Sequence, residues 1–351
     1  MTVRVGINGF GRIGRNFYRS LRQQQQERGL GKEILAAIAG EEIEVVAVND
    51  LGSIETMAHL LQYDSVMGKL DADVQVAGDN LKINGQEIKV LSERDPAALP
   101  WGDLGIDVAI ESTGFFTSRD AAAKHLDAGA PRVIISAPAK GADATFVVGV
   151  NHEDFDPDKD KVVSNASCTT NCFVPMIKVL DDAFGLEKGL MTTVHAYTGD
   201  QVLVDGPHSD LRRARAAAIN IVPTSTGAAR ATGLVLEAME GKLDGIALRV
   251  PVPTGSATDF VGTLNTEVTV DEVNEAFRSA ASDLPLGHVL DFSDEPLVSS
   301  DIIGSPASCT FDSGLTMALG NMVKVLGWYD NEWGYSNRLV DLVKIVGSAQ
   351  K

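Results

Sequence analysis

Residues 164–172 surround a cysteine with side chains that suit nucleophilic chemistry. The segment reads SNASCTTNC, so hydroxyl and amide groups flank Cys168 on both sides. An apolar pattern with helical spacing follows, which predicts that Cys168 lies at or near a helix N-terminus, where the helix dipole favours a thiolate. Cys168 is therefore the candidate nucleophile. Cys172, one turn later, and Cys309 are expected to be structural.

A nucleophilic cysteine needs a proton acceptor, and His195 is the best candidate. It ends the predicted strand at 190–194 and opens a loop. A strand–helix–strand arrangement could therefore bring it beside Cys168 at one end of a sheet. The other histidines have no partners at metal-ligand spacing, so no metal is predicted; they are His59, His125, His152, His208 and His288.

A glycine-rich turn near the amino terminus has the spacing of a dinucleotide-binding loop. The sequence GFGRIG at 9–14 follows the apolar residues 3–7 and precedes a helical pattern that runs to about residue 22. In this context Gly9 permits a tight turn and Gly11 lets the backbone approach a pyrophosphate, while Gly14 lets the helix pack against the strand.

Asp50 is the acidic residue that such a site requires at the end of its second strand. It follows the apolar residues 45–48 and can hydrogen-bond the ribose hydroxyls of adenosine, which predicts NAD rather than NADP. Asp50 lies farther from Gly14 than the usual distance of about 20 residues. We interpret residues 23–29, which are Gln-rich, as a surface extension of this crossover, followed by an Ala-rich helical piece at 33–39.

Several basic and hydroxyl side chains could bind an anionic substrate. Arg213 lies in a basic run, and Arg249 lies inside an otherwise apolar strand, where a guanidinium is costly unless it meets an anion or a carboxylate. With a net charge of -18, the chain needs a local cationic pocket to bind an anion. Arg213, Arg249, Thr198 and Thr226 are the candidates.

The elements that would position these residues indicate an α/β fold with two parts. In the first part, apolar strands at 3–7, 45–48, 108–110, 133–135 and 146–148 alternate with helical stretches, which is typical of a parallel sheet covered on both faces. In the second part, longer alternating strands at 245–252 and 256–264 predict a mixed, largely antiparallel sheet. An amphipathic helix with Leu339, Leu342, Val343 and Val346 on one side ends the chain.

Composition excludes several functional classes. Lys and Arg total 30 against 48 Asp and Glu, which argues against a primary nucleic-acid or membrane-surface role. No apolar run approaches the roughly 20 residues of a membrane-spanning helix, and the start of the chain lacks a signal-peptide layout. Three cysteines cannot form a complete disulfide framework. A cytoplasmic enzyme is expected.

Taken together, these motifs closely resemble the phosphorylating glyceraldehyde-3-phosphate dehydrogenases, and the resemblance covers essentially the whole chain. The segments that carry it are GINGFGRIG at 6–14, SCTTNC at 167–172, HAYT at 195–198, PTSTGAA at 223–229, LRVP at 248–251 and WYDNEWGY at 328–335.

The resemblance implies a Rossmann-type NAD-binding domain (1–166 and 331–351, with the C-terminal helix packed back on it) and an α+β catalytic domain (167–330). It implies a homotetramer, with Cys168 as nucleophile and His195 as base. The implied cofactor contacts are Gly9, Gly11, Arg12, Ile13, Asp50, Arg94, Ser136 and Asn331, of which Asn331 would hold the nicotinamide carboxamide. The implied contacts for inorganic phosphate are Ser167, Thr169, Thr226 and Gly227, and the remaining substrate-phosphate contacts are Thr198, Arg213 and Arg249. Which of the two arginines serves which phosphate stays open, because the two anion sites lie close together.

Two alternatives stay open at this point. Erythrose-4-phosphate dehydrogenases share the same nucleophile and base but would be expected to lack a fully built phosphate site; Thr198, Thr226 and Gly227 favour the phosphorylating triose enzyme. A nonenzymatic role, as a surface adhesin or an RNA-binding scaffold, would need none of the catalytic residues and is disfavoured by the acidic composition.

Overall fold

The computed structural model describes residues 2–29 and 42–348 of the chain. These form two compact units. The first contains the residues up to Phe146, His152–Ala166 and the residues from Ser336 onward; the second contains Val147–Asn151 and Ser167–Tyr335. The domain boundaries that the sequence suggests, 1–166 with 331–351 and 167–330, stay a prediction.

The first unit is built on a nine-stranded sheet within the described residues. Its strand order is β10-β11-β9-β8-β1-β2-β7-β6-β5, parallel from β10 to β7 and antiparallel in the β5–β7 hairpins. A separate two-stranded ribbon pairs β3 with β4. The strand bounds are β1 (Thr2–Asn8), β2 (Glu42–Asn49), β3 (Tyr63–Asp64), β4 (Gly68–Lys69), β5 (Val74–Ala77), β6 (Asn80–Ile83), β7 (Gln86–Leu91), β8 (Val108–Glu111), β9 (Arg132–Ile135), β10 (Ala144–Thr145) and β11 (Val162–Ser164).

The helices of this unit correct one prediction. They are α1 (Arg12–Gly29), α2 (Ile54–Gln62), α3 (Arg119–Ala122) and α4 (Lys124–Asp127). The interpretation of residues 23–29 as an extension outside the helix is wrong, because α1 continues through them. Gln and Glu are good helix formers, and neither glycine nor proline interrupts the run before Gly29. The predicted helical piece at 33–39 lies outside the described residues.

A second correction concerns the predicted strand at 146–148. The structure has a turn there, and the strands that extend the sheet are β10 and β11 instead. All three residues are buried, and the amide of Val147 donates to Oδ1 of Asn151 at 2.8 Å. Burial alone accounts for the apolar run, since a short buried loop and a buried strand have the same composition.

The second unit contains an eight-stranded mixed sheet within the described residues. Its order is β13-β14-β12-β15-β19-β17-β16, with β18 paired to β19; β12–β14 and β16–β17 are parallel and the other pairs are antiparallel. The bounds are β12 (Leu186–Ala196), β13 (Val222–Ser225), β14 (Leu243–Val250), β15 (Ser256–Leu264), β16 (Leu290–Ser293), β17 (Cys309–Asp312), β18 (Met317–Leu319) and β19 (Met322–Tyr329). The predicted fold class, a parallel-rich sheet followed by a mixed, largely antiparallel one, is confirmed.

Helix α5 packs on one face of this second sheet and supplies much of the core. The remaining helices are α5 (Cys168–Phe184), α6 (Ala228–Ala231), α7 (Val270–Ser282) and α8 (Trp333–Ser348). Phe173 of α5 meets Phe260 of β15 edge-to-face at 5.3 Å, and Phe277 of α7 stacks on Phe311 of β17 at 3.8 Å. The first of these buried pairs holds α5 against the sheet, and the second holds α7 against it.

Short 3-10 helices and α8 complete the described chain. The apolar face predicted for α8 is confirmed, since Leu339, Leu342, Val343 and Val346 are all fully buried. The 3-10 helices are Pro96–Ala98, His152–Asp154, Ala217–Ile219, Thr232–Leu234, Glu237–Met239, Leu286–His288, Ser299–Ile302 and Ser313–Leu315.

Candidate active site

Cys168 is the first residue of α5, as the sequence predicts. Ser167 is the N-cap with extended backbone, and its Oγ accepts a hydrogen bond from the amide of Thr170 at 3.0 Å. Hydroxyl side chains are preferred at this position because they pair one of the amides that the helix leaves without a partner. The cap therefore starts the helix at the cysteine and directs the sulfur and the first amides to the same end.

The base predicted for this cysteine lies within reach of it. The distance from Sγ of Cys168 to Nε2 of His195 is 3.4 Å. His195 is the penultimate residue of β12, and only 4% of it is exposed. Two residues far apart in the sequence are thus brought together by α5 and the end of β12.

Tyr329, to which the sequence analysis assigns no role, positions the His195 ring. The two rings meet edge-on with centroids 5.9 Å apart. The buried Tyr329 hydroxyl bonds Oγ1 of Thr169 at 2.9 Å and Oγ1 of Thr193 at 2.8 Å. The tyrosine therefore ties the first turn of α5 to β12. Its place at the end of an alternating strand is the only sequence signal of this role.

Burial shifts the pKa values of both residues in the cysteine–histidine pair. It raises the pKa of the Cys168 thiol to about 11, against the opposing effects of the Arg249 charge and hydrogen bonds from Thr169. Burial also lowers the pKa of His195 to about 3, and the charge of Arg249 acts in the same direction. Burial therefore opposes the thiolate that the helix N-terminus favours, and it also opposes a charged ring at His195.

Arg249 lies directly beside the Cys168–His195 pair. Strands β12 and β14 run parallel with His195 opposite Arg249. Nη1 of Arg249 lies 2.7 Å from Nδ1 of His195 and 3.1 Å from the Ala196 carbonyl. Its buried Nε has no hydrogen-bond partner among the described residues. In the described part of the chain, no carboxylate forms an ion pair with Arg249, although the sequence analysis offers one as a possible partner.

Arg213 has a different environment, because carboxylates already neutralise it. It pairs with Asp200 at 2.8 Å and with Asp210 at 3.3 Å, and its Nε donates to Oγ1 of Thr224 at 2.8 Å. Thr224 lies on β13, the strand next to that of Arg249. Arg213 thus contacts the strand next to that of Arg249, but the neighbouring carboxylates have already satisfied much of its charge.

The remaining candidates for phosphate contacts differ in how directly they are linked to the Cys168–His195 pair. Oγ1 of Thr226 accepts from the amide of Ala228 at 3.2 Å, and Gly227 precedes the single-turn helix α6. In the described part of the chain, no hydrogen bond joins Thr198, Thr226 or Gly227 to the Cys168–His195 pair. Ser167 and Thr169 flank Cys168 directly.

The glycine-rich turn of the first unit fits a dinucleotide. Gly9 has a φ of 96°, and a Cβ there would lie 2.7 Å from the backbone of Ser112. A Cβ on Gly14 would lie 2.4 Å from the carbonyl oxygen of Gly9, whereas one on Gly11 would meet no atom within 4 Å. Gly9 and Gly14 are therefore required by the fold itself. Gly11 is not, which leaves open space where a pyrophosphate would pass.

Asp50 lies beside the same turn. Its carboxylate accepts hydrogen bonds from the amides of Phe10 at 2.9 Å and Gly52 at 3.0 Å. These bonds hold the carboxylate beside the glycine-rich loop, and its remaining lone pairs can still accept from ribose hydroxyls.

The other predicted cofactor residues are placed as follows. Arg12 pairs with Asp64 at 3.0 Å, and Ile13 is half-buried. Arg94 is exposed, and Oγ of Ser136 donates to Oγ of Ser112 at 2.9 Å. Asn331 belongs to the second unit, where its Oδ1 accepts from Ser256 Oγ at 2.8 Å and from Thr254 Oγ1 at 3.3 Å.

A buried polar network supports the strand ends behind the glycine-rich turn, and the sequence analysis did not find it. Oε2 of Glu111 accepts from Asn8 Nδ2 at 2.6 Å and bonds His125 Nε2 at 3.0 Å. Nε1 of Trp101 donates to Nδ1 of His125 at 2.9 Å, which assigns the ring proton to Nε2. An acidic residue at the end of the apolar strand β8 is the signal that could have identified it.

Membrane-spanning helices and metal-binding clusters are both absent from the described residues. None of the described helices is long and apolar enough to cross a membrane. No group of three or more histidine, cysteine or acidic side chains that could hold a metal ion occurs in residues 2–29 and 42–348.

Comparisons with known proteins agree with this geometry. Residues 3–119 match the family described as glyceraldehyde 3-phosphate dehydrogenase, NAD binding domain, and residues 167–331 match its C-terminal domain. The chain is 61% identical over 349 residues to a glyceraldehyde-3-phosphate dehydrogenase of Streptomyces coelicolor, covering 99% of each chain. It is 59% identical over 351 residues to one from Mycobacterium tuberculosis, covering 99% of this chain and 100% of the relative.

These matches confirm the predicted NAD cofactor and dehydrogenase class, and they do not favour the erythrose-phosphate or scaffold alternatives. The chain belongs to the glyceraldehyde-3-phosphate dehydrogenase family.

Proposed function

We propose that the chain oxidises D-glyceraldehyde 3-phosphate and captures the product with inorganic phosphate as 1,3-bisphosphoglycerate, while NAD is reduced. The observation that carries this proposal is the 3.4 Å approach of Cys168 Sγ to His195 Nε2 at the start of α5, with Arg249 beside the pair. A sulfur nucleophile, a base and a cation in contact are what oxidation of a phosphorylated aldehyde through a thioester requires.

The first steps use Cys168 and His195. The sulfur attacks the aldehyde carbon, and His195 transfers the thiol proton to the carbonyl oxygen, which gives a hemithioacetal. Because the pKa shifts of both groups oppose a resting thiolate–imidazolium pair, proton transfer accompanies the attack. The backbone amides of Cys168 and Thr169 hydrogen-bond the sulfur, so they are close enough to stabilise the developing oxyanion.

His195 then acts as the base for oxidation. It accepts the hemithioacetal hydroxyl proton as the carbon loses a hydride, for which a bound NAD would supply the acceptor. The product is a thioester on Cys168. Inorganic phosphate attacks the thioester carbon, the C–S bond breaks, and the proton on His195 returns to the sulfur.

The two phosphate sites receive unequal support from the structure. For the substrate phosphate we propose Thr198, Arg213 and Arg249, of which Arg249 has the stronger case because its Nε lacks a partner among the described residues. Arg213 would have to exchange contacts with Asp200 and Asp210. For inorganic phosphate we propose Ser167, Thr169, Thr226 and Gly227.

The cofactor contacts that we propose extend the NAD assignment to individual residues. Gly9, Gly11, Arg12 and Ile13 would hold the pyrophosphate, and Asp50 the adenosine ribose, where its negative charge would repel a 2′-phosphate. Arg94 and Ser136 are proposed as further contacts, and Asn331 as the partner of the nicotinamide carboxamide.

We also propose that the protein is a homotetramer in the cytoplasm. One face of the second unit's sheet exposes Leu190, Ile246 and Val261 on three adjacent strands. The register places Leu190 opposite Val261 and Thr192 opposite Ile246, so the three apolar side chains share one face. Such a contiguous patch favours contact with another copy. The three cysteines are all free, which fits a reducing compartment.

The test is NADH formation from glyceraldehyde 3-phosphate and NAD with and without inorganic phosphate. Sustained turnover that requires phosphate is the expected result. Turnover that does not depend on phosphate would mean that water resolves the thioester, and it would contradict the proposed acyl-phosphate product. No turnover by a folded protein that binds NAD would contradict the proposed oxidation itself.

A further inference from the structure

Ser256 connects the end of the strand that contains His195 to Asn331. The sheet order places β15 between β12 and β19, and Ser256 is the first residue of β15. Its Oγ accepts a hydrogen bond from the amide of Ala196, the last residue of β12, at 3.0 Å. The same Oγ lies 2.8 Å from Oδ1 of Asn331, which follows the end of β19 by two residues. One hydroxyl group thus bridges two strand ends of the second unit.

The backbone around Ser256 fixes the position of this hydroxyl. Ser256 is fully buried and pairs with Tyr329 in the β15–β19 ladder. Gly255, just before it, has a φ of 84°, and a Cβ there would collide with the carbonyl oxygen of Ser299. The ladder and this tight turn therefore hold the oxygen in place, and the direction of its proton is the freedom that remains.

The neighbours of Ser256 determine where that proton points. The Ala196 amide can only donate, so Oγ accepts there and its own proton must go elsewhere. Among the residues that the structure describes, the one acceptor for it is the side-chain amide of Asn331. If that amide were turned over, Nδ2 would face the hydroxyl and the buried proton would have no acceptor. An unsatisfied buried donor is costly, so the network assigns Oδ1 to the side of Ser256.

Thr254 supports the same orientation. Its Oγ1 donates to Oδ1 of Asp330 at 2.9 Å and lies 3.3 Å from Oδ1 of Asn331, so two acceptors share its single proton. Oδ1 of Asp330 also accepts from the amides of Glu332 and Trp333, both at 2.9 Å. These bonds fix the chain on both sides of Asn331 and leave its amide oxygen facing the two hydroxyl groups.

The opposite side of the Asn331 amide is the donor side. For Nδ2, the described part of the chain provides no hydrogen-bond partner. An N–H group can pair with a carbonyl oxygen but not with an NH₂ group, which offers only protons. Asn331 can therefore distinguish the two halves of a carboxamide, provided that its own amide does not turn over.

We propose that Ser256 is a positioning residue: it fixes the orientation of the Asn331 amide, so that the carboxamide oxygen of nicotinamide, and not its NH₂ group, is the atom that Asn331 binds. This inference rests on the proposed contact between Asn331 and NAD. Ser256 acts through Asn331. Because its hydroxyl also accepts from Ala196, the residue after His195, the proposed base and the proposed nicotinamide contact are joined by one chain of hydrogen bonds.

The experiment compares three ligands that differ only at the nicotinamide, by calorimetric titration of the full-length protein. NAD has the complete carboxamide. Its acetylpyridine analogue keeps the carbonyl oxygen and has a methyl group in place of NH₂, and ADP-ribose lacks the ring. The ratio of the dissociation constants for the analogue and NAD reports which carboxamide atom is bound, because contacts with the rest of the ligand cancel.

We expect the wild-type protein to bind the analogue within about threefold of NAD, since the recognised oxygen is present in both. In Ser256→Ala the amide can turn over, donate to Thr254 and present its oxygen, so the ratio should rise at least about fivefold. The affinity for ADP-ribose should stay within about twofold. If Ser256→Ala does not fold, Ser256→Cys provides the same comparison, because a thiol is a weak donor of similar size.

Ser308→Ala is the matched control. Ser308 is also a buried serine of the second unit, and its Oγ has no hydrogen-bond partner among the described residues. Its removal should leave the affinities for all three ligands unchanged. Thermal unfolding shows whether each variant is folded.

Two results with Ser256→Ala would overturn the inference. An unchanged ratio would mean that Ser256 does not orient the amide, and an equal loss of affinity for all three ligands would mean that its hydroxyl only stabilises the fold. Asn331→Ala separates these failures from that of the proposed contact, because it should weaken NAD and leave ADP-ribose unchanged. If Asn331→Ala binds NAD as tightly as the wild type does, the proposed contact and the inference fail together.

Discussion

At the scale of single residues, the position of Cys168 distinguishes it from the other cysteines. Its sulfur contacts His195 Nε2, whereas Cys172 is fully buried and its Sγ faces the Gly327 carbonyl at 3.7 Å. We expect Cys168→Ser to lower turnover on the order of 10⁴-fold, because a hydroxyl is a far weaker nucleophile. NAD affinity should be retained, since the proposed cofactor contacts of the first unit are untouched.

Cys172→Ala is the matched control for that substitution. It removes a buried sulfur one turn further along α5 and should cost about 1–2 kcal/mol of stability while leaving the catalytic rate near wild type. Steady-state NADH formation and thermal unfolding measure both effects. Comparable losses of rate in the two variants would exclude Cys168 as the nucleophile.

The burial of His195 gives folding stability a predictable dependence on pH. Its pKa is about 3 in the folded chain against 6.5 when it is unperturbed, so the unfolded chain binds the proton first as pH falls. Stability is therefore present in full above pH 6.5 and is lost as pH falls towards 3. Between pH 7 and pH 5 this loss amounts to about 2 kcal/mol.

His195→Asn removes this group and should reduce the acid sensitivity of folding by the same amount. Urea unfolding at equal protein concentration, at pH 7 and pH 5, gives the comparison, and contributions from all other groups cancel between the two proteins. An equal loss of stability in wild type and variant would mean that the folded chain accepts the proton on His195 readily, contrary to its burial.

At the scale of elements, the turn between β1 and α1 contains one glycine that the fold requires and another that we expect only cofactor binding to require. A Cβ on Gly14 would meet the Gly9 carbonyl oxygen at 2.4 Å, so Gly14→Ala should destabilise the first unit by roughly 1–3 kcal/mol. A Cβ on Gly11 meets nothing within 4 Å, so Gly11→Ala should change stability by less than about 0.5 kcal/mol.

For NAD affinity, measured on the folded protein, the order should be reversed: Gly11→Ala should be affected more than Gly14→Ala. We expect Gly11→Ala to weaken NAD binding at least about tenfold, because its methyl group would occupy the approach of the pyrophosphate to the backbone. Calorimetric titration and chemical denaturation supply the two quantities. Unchanged NAD affinity in Gly11→Ala would show that the pyrophosphate does not pass over this residue.

Local sequence patterns predicted the elements wherever a strand and its turn are contiguous. The apolar residues 3–7 followed by GFGRIG predicted β1 and the start of α1, and the residues around Cys168 predicted the start of α5. The strand at 146–148 was wrong because apolar composition reports burial and not hydrogen bonding. The Gln-rich end of α1 was not predicted, because its polar composition suggests a surface loop although Gln and Glu are also good helix formers.

The contacts within the site could be predicted only in part. Local signals predicted the positions of two residues: Cys168 at the start of a helix, and His195 at the end of a strand. The contact of Arg249 with His195 depends on the parallel register of β12 and β14, which are joined by a long connection, and no local pattern encodes that register. The role of Tyr329 depends in the same way on the pairing of β19 in the sheet.

At the scale of the whole molecule, assembly must overcome the charge of the chain. Each copy has a net charge of -18, so bringing copies together costs electrostatic work that grows as salt is lowered. The proposed contact therefore needs a substantial apolar contribution. The exposed side chains of Leu190, Ile246 and Val261 are placed to supply it, since burying each removes apolar surface from water.

A charge on this face should therefore break the assembly. We expect Ile246→Asp to shift the mass measured by sedimentation from that of a tetramer to dimers or monomers, and more completely at low salt, where the added repulsion is least screened. Val76→Asp is the matched control, because Val76 is also an exposed apolar strand residue (41% exposed, against 51% for Ile246) but lies in β5 of the first unit. If both variants keep the wild-type mass at every salt concentration, the apolar face is not an interface, and the subunits must meet elsewhere.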